Sequence, residues 1–323
     1  MSAQHDRIDP ESRTALEYLL SVLPGGFNAI PDIVARREAS AQLSAAAVEA
    51  AGGPDPSVTR DDRVAPGLDD DPEVPVRVYR PVGAASGEKL PGIFFIHGGG
   101  MIMGTIDGED AMASLYSREV GALVVSSGYR KAPEDPHPAQ SRDCFAALQW
   151  MAAHADELGY DPDRLVVVGG SAGGNLALAT MLRARDAGGP ELRLVLAAYP
   201  MLDPSNTTAS AQSVTEVGVW DRGGNIQAWE WFLGGSEPDR FASPSLHTDW
   251  SGLPPVFIDV GTEDLFRDED IALVSALAAA GNAVEFHLYP GAYHASEVLA
   301  PEASLSKRIM ANRLDAVRRA VAG

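Results

Sequence analysis

The 323-residue chain is 45% hydrophobic and 22% charged, enough apolar material for one large packed core. Its formal net charge of −20 argues against a phosphate backbone or an anionic membrane surface as a partner. The single cysteine, Cys144, excludes an internal disulfide and a thiolate metal cluster, and its helical-looking surroundings mark it as a buried, inert thiol.

The opening "MSAQHDRIDPES" carries charges and a proline where a secretory leader would have its apolar run. No stretch reaches the roughly 18 apolar residues of a membrane span. A cytoplasmic protein with no membrane partner is the expectation. Residues 1–52 read as two amphipathic helices, around "SRTALEYLLSVL" and "IPDIVARREASAQLSAAAVEAA". Without disulfide or metal so short a segment rarely makes its own core, so it is expected to form the first part of a helical cap.

Two strand candidates follow, "DDRVAP" and "VPVRVYRP", opening a sheet in antiparallel fashion. From Leu90 onward short apolar runs at 92–96, 122–127, 164–169, 192–199, 255–261 and 284–289 read as strands. Helical periods occupy 139–158, 175–187, 268–281 and 303–322. The pattern predicts an α/β fold: a mostly parallel central sheet of about eight strands with helices on both faces. Residues 203–245 interrupt it with loop and a tryptophan-bearing helix, "NIQAWEWFLGG", expected as the second part of the cap. That leaves 53–202 and 246–323 as the main domain.

The chemistry is carried by "VVVGGSAGGN" (166–175), a strand followed by Gly-Gly-Ser-Ala-Gly-Gly and then a helix beginning near Asn175. In that setting Gly-x-Ser-x-Gly forms a sharp turn that lifts the serine hydroxyl above the sheet. Side chains at Gly169 and Gly173 would collide within the turn, and the helix N-terminus behind it favours a developing anion. A dinucleotide-binding turn also places glycines between strand and helix. Here, however, Ser171 stands where the middle glycine would have to be, and several strands precede the turn.

A second glycine run, "FFIHGGGMIMG" (94–104), leaves a strand with backbone N–H groups able to converge on one spot. Acyl transfer needs such donors because its tetrahedral intermediate carries a full negative charge on oxygen. His97 lies on this loop and is expected to order it through hydrogen bonds. The acid and base partners of Ser171 should follow in chain order, each on a loop after a later strand. Asp264 in "PVFIDVGTEDLFRDED" is the choice of acid, with Glu263 as nearest rival. Asp259 falls inside the strand, and Asp268, Glu269 and Asp270 look like first-turn acids of the next helix. His294 in "YPGAYHAS" is the base. His287 lies within a strand, and His5, His137, His154 and His247 lack a strand-end position.

With "GYRKAPEDPHPA", "SPSL", "GLPP", "DLFRDE" and "GAYH" in the same order, the chain from about Asp61 onward resembles the hormone-sensitive-lipase-like (bacterial family IV) esterases of the α/β-hydrolase superfamily. The resemblance implies a serine carboxylesterase with the triad Ser171, Asp264 and His294. It implies oxyanion donors among the N–H groups of Gly98, Gly99, Gly100 and Ala172, with Gly99 and Gly100 favoured within the glycine run. It implies a helical cap, short- to medium-chain acyl esters as small-molecule substrates, and no metal or cofactor. Family members often pair through the sheet edge, so a homodimer is a further expectation.

The chain departs from the family pattern at Gly128 and Gly170, where aspartates are usual, at Lys131 in place of a common leucine, and at Ser296 in place of an aromatic. The two glycines remove supporting hydrogen bonds around the turn, so Ser171 must be supported in another way. Amide, carbamate and lactone cleavage use the same machinery and stay open, as does a non-catalytic small-ligand receptor on the same fold. Met101, Ile102, Met103, Trp220, Trp229, Trp231 and Phe232 could line an apolar pocket, with at least half expected only to pack the cap.

Overall fold

The computed structural model describes residues 4–85, 87–215 and 219–322. Positions 1–3, 86, 216–218 and 323, which belong to the expected cap and main-domain spans, lie outside the described residues.

One sheet contains β1 (Val58–Ala65), β2 (Val74–Pro81), β3 (Leu90–Ile96), β4 (Leu123–Ser127), β5 (Tyr160–Gly170), β6 (Leu194–Ala198), β7 (Val256–Gly261) and β8 (Val284–Tyr289). Their order is β1-β2-β4-β3-β5-β6-β7-β8. The pairs β1–β2 and β2–β4 are antiparallel, and every later pairing is parallel.

The helices are α1 (Pro10–Val22), α2 (Ile33–Ala50), α3 (Asp110–Val120), α4 (Ala139–Ala153), α5 (Ala155–Leu158), α6 (Ala172–Ala187), α7 (Ala209–Ser213), α8 (Arg222–Leu233), α9 (Arg267–Ala279), α10 (Ser296–Leu299) and α11 (Ser304–Val321). Successive strand residues face opposite sides, which divides the core in two. Ile93, Phe95, Val166 and Val168 pack against Ala113 and Tyr116 of α3 and Leu314 and Val317 of α11. Phe94, Ile96, Val167 and Val195 pack against Leu148 and Met151 of α4 and Leu176 of α6. Both faces of the central strands are buried, which is why these strands read as unbroken apolar runs.

Several expectations change. Helix α3 went unread because its apolar residues are interspersed with Ser114, Tyr116 and Ser117, all buried. Helix α6 begins at Ala172, although the poor helix formers Gly173 and Gly174 in its first turn make the sequence pattern point to a start near Asn175. The stretch 139–158 breaks at His154 into α4 and α5. Helix α1 buries Ser12, Leu16 and Leu19 along one side, but α2 buries only Arg36 and is not amphipathic. Its many alanines offer no broad apolar face; instead Arg36 donates to Ile30 O at 2.7 Å and to Gln227 Oε1 at 2.8 Å. Asn28 likewise donates to Asp221 Oδ1 at 2.7 Å, so the N-terminal segment touches the 203–245 segment. Cys144 is fully buried. Among the described residues no helix is long and apolar enough to cross a membrane.

Candidate active site

Ser171 follows β5, Asp264 follows β7 and His294 follows β8, so all three emerge at the carboxyl ends of parallel strands, where ligands bind in open α/β sheets. Ser171 has φ 59° and ψ −121°, a left-handed conformation that a non-glycine residue adopts only under constraint. The constraint is backbone crowding. A Cβ on Gly169 would come within 2.2 Å of Gly173 O, and one on Gly173 within 2.1 Å of Ile96 O. The Ser171 N–H donates to Ala198 O at 2.9 Å, pinning the turn to the neighbouring strand end.

The hydroxyl so presented lies 2.9 Å from His294 Nε2. His294 Nδ1 lies 2.9 Å from Asp264 Oδ2, and the other Asp264 oxygen accepts the N–H of Phe266 at 3.0 Å. All three side chains are buried. The Asp264 and His294 loops are held together by Glu263 N–H donating to Ala292 O at 3.0 Å, across an approach so close that a Cβ on Gly261 would be 2.0 Å from Ala292 O. Glu263, the rival acid, turns the other way and takes Arg7 at 3.0 Å.

The glycine run curls beside Ser171. Gly99 (φ 109°) and Gly100 (φ 65°) take the left-handed conformations that glycine permits. Among the described residues the N–H groups of Gly99, Gly100 and Ala172 make no hydrogen bond. Gly98 does not belong with them: its N–H donates to Glu109 Oε1 at 2.7 Å and is unavailable to an oxyanion. His97 donates from Nδ1 to Gly98 O at 2.8 Å and stacks on Tyr129, whose hydroxyl donates to His97 O at 3.0 Å. Burial pushes the His97 imidazole down to about 3, so it is neutral and serves to order the loop.

The space vacated at Gly170 is met by the Tyr199 ring, 3.4 Å from where a Cβ would lie. The edge of Tyr199 also packs on His294, with ring centroids 4.8 Å apart, and its hydroxyl donates to Glu297 at 2.5 Å. Glu297 and Asp259 share Arg313, at 2.7 Å each. This buried network joins β7, α10 and α11 behind the triad. Sequence reasoning passed over Glu297 and Arg313, which carry no motif. Asp259 was set aside correctly as a strand residue, but its ion pair was not foreseen.

The first-turn reading of Glu269 and Asp270 is incomplete, because both are buried and neither caps α9 through its side chain. Glu269 instead accepts the N–H of Leu202 at 2.6 Å, bracing the loop after β6.

A cavity of about 410 Å³ opens at Ser171. Of the apolar residues named from sequence, Met103 and Trp220 line it, while Met101, Ile102, Trp229 and Phe232 are buried in the core. A larger surface concavity around Asp69, Arg130 and Arg142 is lined by ion-paired side chains and contains none of the triad. Among the described residues no group of three His, Cys, Asp or Glu side chains is placed to hold a metal ion.

A hydroxyl, an imidazole and a carboxylate in bonding series, beside unpaired amides, can activate an oxygen nucleophile and stabilise an oxyanion. The sequence profile of the alpha/beta hydrolase fold family matches residues 93–297. The chain belongs to the α/β-hydrolases. Within that superfamily it is a hydrolase of the hormone-sensitive-lipase-like branch, and several of its curated relatives are named esterases. A carboxylesterase of Mycobacterium tuberculosis, NlhH, is 34% identical over 292 residues, covering 88% of either chain. An ethyl acetate hydrolase of Pseudomonas putida is 32% identical and covers 68% of this α/β-hydrolase and 70% of its own length. Among solved structures, a bacterial heroin esterase superposes with a TM-score of 0.92 at 36% identity, covering 99% of this chain and 100% of its own. An esterase of Pyrobaculum calidifontis gives 0.86 at 27% identity, covering 98% and 99%.

Proposed function

We propose that this α/β-hydrolase is a carboxylesterase that cleaves esters of short to medium acyl chains through an acyl-enzyme. His294 Nε2 takes the proton of Ser171 as its oxygen attacks the acyl carbonyl, and Asp264 holds the Nδ1–H tautomer and stabilises the imidazolium. The N–H groups of Gly99, Gly100 and Ala172 receive the oxyanion. His294 then protonates the departing alcohol, and water releases the acyl group by the same steps.

The observation that carries this reading is the unbroken series Ser171–His294–Asp264, 2.9 Å at each link. A cavity of about 410 Å³ supports small substrates, being near the lower end of the roughly 300–1,000 Å³ common for ligand sites. The segments 1–52 and 203–245 act as its cap, contributing Phe27 and Trp220 to the wall.

The test is a rate profile over p-nitrophenyl esters of increasing acyl length, with Ser171→Ala as control. Rates should peak at short to medium chains and vanish in the control. A profile rising toward the longest chains would contradict the size assignment, and a fully active control would contradict the mechanism.

A further inference from the structure

Glu109 stands in the cavity wall just before α3, with its carboxyl turned onto Gly98. A Cβ on Gly98 would be 3.2 Å from Glu109 Oε1 and 3.6 Å from Ser171 Cβ, and both side chains line the same cavity. The bond from Gly98 N–H is the one hydrogen bond its side chain makes among the described residues, and none of them pairs with it as a cation. The arginines nearest the start of α3 are committed elsewhere: Arg60 to Asp110 at 2.7 Å, and Arg77 to Asp107 at 2.7 Å. Arg313 lines the cavity but is held by Asp259 and Glu297, which together outnumber its charge. Burial raises the Glu109 carboxyl to about 7, and the Glu297 charge adds to the rise.

A carboxylate in this place works against the reaction of a neutral ester, because it repels the oxyanion formed beside it. A positive charge on the substrate removes that conflict. The rest of the wall suits such a charge, since Phe95, Tyr116 and Trp220 offer aromatic surface of the kind that holds ammonium groups. The net charge of −20 draws cations toward the molecule.

We propose that the cavity takes esters bearing a cationic nitrogen, with Glu109 as the counter-ion. This rests on the ester-hydrolase reading above and narrows its substrate class. The backbone bond to Gly98 can be kept by the amide oxygen of Glu109→Gln, so that variant removes the charge and retains the brace.

The experiment compares acetylcholine with 3,3-dimethylbutyl acetate, in which a tert-butyl group replaces the trimethylammonium, at pH 8. The wild type should favour the cationic ester in kcat/KM by about tenfold or more, the worth of one charge-assisted contact in a desolvated site. Glu109→Gln should erase that preference, lowering kcat/KM on the cationic ester by about tenfold more than on the neutral one. An equal ratio in both proteins, or an equal loss on both esters in the variant, would overturn the proposal. Calorimetric titration of choline into Ser171→Ala, with and without Glu109→Gln, reads the counter-ion apart from turnover. Binding that depends on Glu109 supports the subsite even if neither ester is cleaved, and binding indifferent to Glu109, or none, refutes it.

Discussion

Asp264 Oδ2 stands 2.9 Å from His294 Nδ1, and the carboxylate that makes this contact is itself fixed by the Phe266 N–H at 3.0 Å. Asparagine at 264 would fill the same space but could present an N–H donor to Nδ1, favouring the wrong imidazole tautomer. Asp264→Asn should therefore lower turnover by about four orders of magnitude while leaving the fold intact. Burst and steady-state rates on one p-nitrophenyl ester, with thermal unfolding alongside, check both halves of that statement.

The serine turn depends on backbone contact that no side chain can share. In Gly173→Ala the new methyl would start 2.1 Å from Ile96 O and 2.7 Å from His97 O, both main-chain atoms. Relief requires moving either β3 or the turn. The variant should lose at least about 1–3 kcal/mol of stability and most of its activity together. A fully active, equally stable alanine variant would mean that the turn is looser than its geometry indicates.

Arg313 is 4% exposed and pairs with two carboxylates, Asp259 and Glu297. Replacing it with methionine leaves both acids buried without a cation, which costs about 3–5 kcal/mol for a broken buried pair. Because Glu297 also takes the hydroxyl of Tyr199, whose ring packs on His294, activity should fall as well. Urea unfolding of Arg313→Met measures the first effect. If the midpoint stays at the wild-type value, the network contributes little.

His97 sets an acid limit. Burial keeps it neutral in the fold down to about 3, whereas the unfolded chain takes up the proton near the ordinary histidine value of about 6.5. Between those values the unfolded state binds more protons, so stability falls as pH falls through that window. Each unit of depression is worth about 1.4 kcal/mol. His97→Asn, which can still donate to Gly98 O, should flatten this slope. The comparison of urea midpoints at pH 7 and pH 4 reads it directly.

Much of this was legible in the residues because the legible parts are local. The strand runs, the glycines around Ser171 and the strand-end positions of Asp264 and His294 are each set by short stretches, and the structure brings these three side chains into contact. What escaped is made by side chains that meet only after folding. Glu109 takes Gly98 from the set of free amides, and Tyr199 moves into the space beside Gly170. Arg313 reaches Asp259 across 54 positions. Helix α3 escaped because buried serines interrupt its apolar side, and α2 was misread because alanine gives no clear face.

The most direct measurement is covalent labelling with a fluorophosphonate followed by mass spectrometry of the peptides. Phosphonylation of Ser171 in the wild type, and its loss or severe slowing in His294→Ala, is the predicted result. An unlabelled Ser171 in a folded protein, or labelling indifferent to His294, would contradict it.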